Sequence, residues 1–191
     1  MKIRFNHEGG VYANNQCLLE VEADTEGETA AFMFENGWLP FRGSWYQCRS
    51  SRLELGSISN RRKRELSKIT FSESGDTNRL LRQSSEFGCF KEDWVLHYLG
   101  LPHYTFYMDD AAFGVVNFFE DQIFYTSLVW DKRKNEHSYG MLSYYHLIDK
   151  FKDTHKFLYI SEYYESFNYK SRLPGFQYWN GSCWVVPEVI Q

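Results

Sequence analysis

Polar and apolar residues alternate from Lys2 to Phe5 and again from Cys17 to Val21, with Glu8-Gly9-Gly10 between them. That is the pattern of two half-buried strands joined through a turn. From about Glu28 to Asn36 the apolar spacing becomes that of a short helix, and Gly37 follows where a left-handed cap is needed. Trp45 to Arg49 alternates once more. Ser50 to Asp76 is polar and carries Arg61-Arg62-Lys63-Arg64, and Glu92 to Leu99 reads as a helix stopped by Gly100 and Pro102.

After Leu101 the pattern sharpens. Tyr104–Met108 and Ala112–Phe119 form a predicted hairpin about Asp109-Asp110, Glu120-Asp121 makes another turn, and Gln122 to Trp130 is a long strand. A charged loop, Asp131 to Glu136, leads to a predicted helix from Ser138, its N-cap, to Phe151, with Leu142, Tyr145 and Ile148 on the inner face. Phe157 to Ile160 is a strand that a crossover helix sets parallel to the one before. A short helix near Phe167 and a hairpin close the pattern. The hairpin pairs Phe176–Trp179 with Ser182–Val185 about Asn180-Gly181, a dipeptide suited to a type I′ turn.

This is an α+β arrangement. Residues 1–99 are expected to form an N-terminal lobe with a basic segment, packed on a core of residues 100–191. At 191 residues the chain can bury a sizeable core. Phe, Tyr and Trp make up 19 %, enough to line a wide cleft or simply to replace aliphatic residues inside. With 21 Lys and Arg against 25 Asp and Glu, the formal charge of −4 excludes a generic nucleic-acid coat and leaves only a local basic patch for such a partner. Cys17, Cys48, Cys89 and Cys183 are scattered, with no metal-ligand spacing, so no metal is expected. No apolar run approaches the roughly 20 residues of a membrane span, and no leader pattern opens the chain, so a cytoplasmic location and no membrane partner are expected.

The predicted order from Leu101 onward resembles the catalytic half of the Gcn5-related acyltransferase (GNAT) fold, a mixed central sheet with splayed parallel strands and flanking helices. Individual segments carry a closer resemblance. Gly100 to Asp110, Ser138-Tyr139-Gly140, Tyr163-Tyr164 and Asn168-Tyr169-Lys170-Ser171-Arg172 are similar to segments of the arginyl- and leucyl-tRNA–protein transferases. So are Asn36-Gly37-Trp38 and Ser57-Ile58-Ser59-Asn60-Arg61-Arg62 upstream, in the family's order. The departures are a missing cysteine cluster, of which only Cys48 remains, Leu39-Pro40 in place of paired arginines, and a short stretch between Arg79 and Gly100.

The resemblance implies transfer of an amino acid from aminoacyl-tRNA to a primary amine by direct aminolysis of the ester. Aminoacyl-tRNA is then the co-substrate, with no other cofactor. The partners expected are a tRNA acceptor stem and a small-molecule, peptide or protein amine, and not DNA. The donor's phosphates and sugars would meet Ser57, Ser59, Arg61, Arg62, Gly140, Asn168, Lys170 and Arg172, through hydroxyls, a bared backbone, an amide and cations. An attacking amine must lose a proton. Glu162 and Glu165 at the strand end, or Asp131 at the end of the neighbouring strand, are the carboxylates that can take it, with Tyr163 and Tyr164 orienting the acceptor. Trp38, Phe41 and Arg42 are expected to line the acceptor pocket. The alternatives are an acetyl-CoA-dependent N-acetyltransferase and an inactive GNAT-like module that binds tRNA or peptide. Covalent catalysis is not suggested, since no Ser or Cys sits in an elbow motif.

Overall fold

The computed structural model describes residues 2–4, 19–22, 27–41, 44–47, 49–87, 92–134, 137–163 and 165–187. The Glu8-Gly9-Gly10 turn, Cys17, Arg42, Cys48, Cys89 and Tyr164 lie outside them, as do the side chains of Glu165 and Asn168. The elements run β1 (Lys2–Arg4), β2 (Leu19–Glu22), α1 (Gly27–Glu35), β3 (Trp38–Phe41), β4 (Ser44–Gln47), β5 (Ser50–Glu54), α2 (Asn60–Leu66), β6 (Phe71–Glu73), α3 (Thr77–Glu86) and α4 (Glu92–Leu99). They continue with β7 (His103–Met108), β8 (Ala112–Phe119), β9 (Gln122–Trp130), α5 (Tyr139–Phe151), β10 (Phe157–Glu162), a 3-10 helix (Glu165–Arg172), β11 (Phe176–Trp179) and β12 (Trp184–Val185). The α+β class and the order of elements after Leu101 are those expected. No described helix is long and apolar enough to cross a membrane.

The chain divides into two compact units, Met1–Glu54 with Phe119–Ile123 and His155–Gln191, and Leu55–Phe118 with Phe124–Thr154. Residue 99 is no boundary of either; the second unit runs straight through it.

In the first unit β1-β2-β4-β3 form an antiparallel sheet. The segment from Trp38 to Trp45, expected to line a pocket, supplies β3 and the start of β4, which pair antiparallel, with Pro40 on the edge strand where a missing N–H costs no ladder bond. Strands β12, β11, β5 and β10 follow one another in antiparallel pairing. Strand β5 is a correction to the polar reading of Ser50 to Glu54. Its Ser50 and Ser51 are fully buried because backbone carbonyls accept from both hydroxyls, Gly37 O from Ser50 and Ser161 O from Ser51. Gly37 caps α1 with φ +77°, and a Cβ there would sit 2.3 Å from the Trp179 ring, so both backbone and packing require glycine. The expected two-residue type I′ turn at Asn180-Gly181 is not formed. Tyr178 pairs with Val185 and Trp179 with Trp184, leaving a four-residue loop, and only Gly181 has positive φ. Asn180 Oδ1 accepts from the backbone N–H of Ser182 and Cys183 instead, which stabilises the wider loop.

In the second unit the strands lie in the order β9-β8-β7-β6. Asp109 and Asp110, at φ 48° and 51°, turn β7 into β8. Leu80 of α3 packs into a core of Tyr107, Phe113, Val115 and Val129. Leu142, Tyr145 and Ile148 of α5 are buried, as the helical spacing predicts. Ser138 precedes α5 but makes no side-chain cap bond.

Candidate active site

Strand β10 ends on a bulge. Ile160 pairs with Ser51 and Glu162 with Ser50, so Ser161 is the extra residue and has no cross-strand partner. Bulges re-aim a side chain at a strand end. Here the 3-10 helix turns the chain back so that Lys170 Nζ donates to Ser161 Oγ. Lys170 is largely buried, and no carboxylate among the described residues lies within ion-pair distance of it. Loss of hydration therefore lowers its pKa from the ordinary 10.5 to about 8, against a partial opposing pull from Glu162.

Tyr163 is buried beside this site. Its ring lies 5.4 Å from Phe176 and 5.0 Å from Tyr178, and the Arg49 guanidinium stands 5.3 Å above it. Its N–H donates to Arg49 O at 2.7 Å. Tyr163 thus fixes the strand end. Arg172, in contrast to Lys170, is exposed at the end of the 3-10 helix.

On the opposite face of β5, Arg52 is almost fully buried. Its guanidinium lies between the Phe157 ring at 3.7 Å and the Trp184 ring at 4.3 Å. Nε donates to Gln177 Oε1 at 2.7 Å, and Gln177 in turn reaches Glu54 at 3.4 Å. An amide relays this ion pair, so the buried cation has a structural explanation.

The second unit holds the remaining expected residues. Asp131 is buried and its carboxylate is engaged by Arg133, through Nε and Nη2, each at 2.8 Å, and the backbone N–H at 3.0 Å. These bonds hold its pKa down at about 2, which makes it a poor proton acceptor near neutrality. Ser59 caps α2, accepting from the Arg62 N–H at 3.4 Å. Arg61 and Arg62 both pair with Glu65, at 3.2 and 2.5 Å, and Arg62 also lies 4.7 Å over the Tyr145 ring. Ser57, Lys63, Arg64 and Lys68 stand exposed. Gly140 lies in the first turn of α5, where a Cβ would meet only Leu128 Cδ2 at 3.9 Å.

One further polar cluster in this unit was not legible from motifs. Tyr104 OH lies 3.1 Å from both Glu73 Oε1 and His146 Nε2, and Lys150 Nζ donates to Glu73 at 2.7 Å. The His146 ring stacks on Phe71 at 4.1 Å. Burial lowers the His146 pKa to about 4, with the Lys150 charge adding to it, and burial raises that of Tyr104. No group of three His, Cys, Asp or Glu suited to a metal ion occurs among the described residues.

No protein-family profile matches the chain, and no curated protein matches it. Among solved structures it is similar to a GCN5-related N-acetyltransferase from Kribbella flavida, with 12 % identity and a TM-score of 0.39. The similarity covers 76 % of this chain and 36 % of that one, so the chain matches about a third of that protein's length. Identity and superposition at this level assign no activity.

Of the expected site residues, Glu162, Tyr163 and Lys170 gather at the end of β10. Ser57, Ser59, Arg61 and Arg62 gather on and just before α2, and Trp38 and Phe41 belong to β3. Ser161 was missed. Its only signal was its place as the first polar residue after the apolar run Phe157 to Ile160.

Proposed function

We propose that this protein transfers an aminoacyl group from a tRNA ester to a primary amine. The observation that carries the reading is the fold of Asn168 to Arg172. The segment that resembles the tRNA-dependent transferases winds into a helical turn at a strand end, with Lys170 inward against Ser161 and Arg172 outward. An activated ester needs only an oriented amine and a group that takes up a proton near neutral pH. Lys170, with its pKa lowered to about 8, suits that second task better than Asp131. Arg172 is the cation left in solvent for a donor phosphate, and Arg61, Lys63, Arg64 and Lys68 offer further phosphate contacts. The missing cysteine cluster and the short stretch between Arg79 and Gly100 favour a small or flexible acceptor: a short peptide, an amino acid or a biosynthetic intermediate.

A second reading, acetyl-CoA-dependent N-acetylation, draws support from Gly140. Packing does not demand glycine there, and a bare backbone at the start of α5 accommodates a ligand phosphate. One assay separates the two. The protein is incubated with labelled aminoacyl-tRNA or labelled acetyl-CoA, each with candidate amines and small and protein acceptors. Label in the amine from aminoacyl-tRNA is the expected result. Label from acetyl-CoA alone overturns the proposal in favour of the second reading, and binding without turnover leaves a non-catalytic module.

A further inference from the structure

The amine of Lys170 and the hydroxyl of Ser161 are hydrogen-bonded at the point where β10 leaves its ladder. The backbone about Ser161 is held from behind. Ser51 donates to the Ser161 carbonyl, and Tyr163, two residues on, is anchored by its N–H to Arg49 O at 2.7 Å. Lys170 is brought in by a helical turn, and among the described residues no carboxylate stands at ion-pair distance from its amine. A serine activated by a lysine needs this: a hydroxyl on a rigid strand end, and an amine within one hydrogen bond of it in surroundings that favour its neutral form.

Resting on the overall transfer proposed above, but replacing the direct aminolysis that the resemblance implies, we infer that Ser161 is a nucleophile and Lys170 its general base, and that the acyl group passes through a Ser161 ester. In the first half-reaction Ser161 Oγ attacks the ester carbonyl and its proton moves to neutral Lys170. The bond from the carbonyl carbon to the ribose oxygen breaks, and Lys170 returns the proton to that oxygen. In the second, the acceptor amine attacks the Ser161 ester and the new amide forms. The amine's proton passes through Lys170 to the departing Ser161 oxygen. Every proton is returned and no further reactant is consumed. The lowered pKa of Lys170 is consistent with this role, since an ordinary lysine is almost wholly protonated at pH 7. Glu162 bears on Lys170 through its charge alone, and its carboxylate opposes the neutral form of the amine.

The test uses the full chain and an activated ester, p-nitrophenyl acetate, at pH 8. Intact mass followed by peptide mapping is expected to find one acetyl group on Ser161, accompanied by a burst of p-nitrophenolate equal to the enzyme present. Ser161→Ala abolishes burst and label. Lys170→Met, which keeps the volume, slows acylation by about 100-fold, and Lys170→Arg does not rescue it because a guanidinium stays protonated. Ser161→Cys is expected to carry the acetyl group as a thioester and serves if the alanine variant melts poorly. Acetyl found on Lys170 instead, or a burst unchanged in Ser161→Ala, overturns the inference. Full aminoacyl transfer by Ser161→Ala also overturns it while leaving the proposed function intact. Acylation of Ser161 with no transfer from any aminoacyl-tRNA would sink the proposed function and leave the serine chemistry standing.

Discussion

Dehydration of the Lys170 amine fixes the pH range in which it can take up a proton. Activity is expected to rise with pH along a limb centred near 8, where the amine becomes neutral. Glu162 raises the pKa of Lys170 by its charge, so Glu162→Gln is expected to move that limb to lower pH while the maximum rate stays within a few-fold. A limb unmoved in Glu162→Gln but lost in Lys170→Met would leave Lys170 as the titrating group and remove Glu162 from its surroundings. A rate–pH profile indifferent to Lys170 would exclude it altogether. Arg172→Ala, by contrast, is expected to lower turnover with tRNA while the melting temperature stays near the parent's. Loss of one charge-assisted bond to phosphate costs about 2 kcal/mol. From the sequence these two cations were indistinguishable, because a pentapeptide motif gives composition and not direction. Ser161 was invisible for a related reason: it matters through the bulge that turns it, and a bulge is a property of strand pairing.

Among the elements, α2 is the clearest case of charges with unequal duties. Arg62 lies over Tyr145 and pairs with Glu65, whereas Arg64 on the helix and Lys68 just beyond its end are exposed to solvent. Arg62→Ala is expected to destabilise by about 1 kcal/mol, from a lost cation–π contact and a partly exposed ion pair. Arg64→Ala with Lys68→Ala is expected to leave the melt unchanged and to flatten the log–log salt dependence of tRNA binding by roughly 0.7 to 0.9 per lost contact. Filter-binding titrations and thermal melts of both variants check this, and the reverse pattern would place the RNA elsewhere.

The network joining β6, β7 and α5 makes a second demand. His146 has its folded pKa at about 4, below the ordinary 6.5, so between those values the unfolded chain holds the extra proton. Stability is therefore complete above about 6.5 and falls as pH drops towards 4, by on the order of 3 kcal/mol. The Glu73 carboxylate, held low by its bond from Lys150, adds a further loss at still lower pH. His146→Phe keeps the stack on Phe71 and is expected to remove the slope between pH 6.5 and 4 in chemical denaturation; an unchanged slope would assign it to other groups.

The periodic elements after Leu101 were legible because each alternates or repeats cleanly along its own sequence. Strand β5 was not, since its serines are polar in sequence and their hydroxyls donate to carbonyls outside the strand, Gly37 O 13 positions away and Ser161 O 110 positions away.

At the scale of the molecule, the expected boundary at residue 99 separates residues that belong together. β5 lies between β10 and β11, with Leu53 opposite Leu158 on one side and Phe176 on the other. A fragment of residues 100–191 therefore contains the Ser161 and Lys170 pair but lacks the strand that both neighbours pair with. It is expected to be poorly protected in hydrogen exchange over β10 and β11, and addition of residues 1–99 in trans should restore protection there. A fragment that folds alone with native exchange would show that β5 is dispensable. The same distance along the chain explains why the motif pointed to Lys170 and not to its setting: the residues that hold the end of β10, Ser51 and Arg49, lie more than 100 positions earlier.

That same strand has a consequence for how the protein is made. Ser51 meets the carbonyl of a residue 110 positions later, and Arg52 meets Gln177 across 125 positions. When β5 leaves the ribosome, neither of its neighbours yet exists. At the ordinary pace of about 5 to 20 residues per second, it waits several seconds with both edges open. Contacts this distant along the chain also form slowly once the partners are present. The polar start that hid β5 from a reading of periodicity then has a use. Ser50, Ser51 and Arg52 give the waiting strand little reason to pair with a neighbouring nascent chain, whereas a run of valines and isoleucines in the same place would invite it.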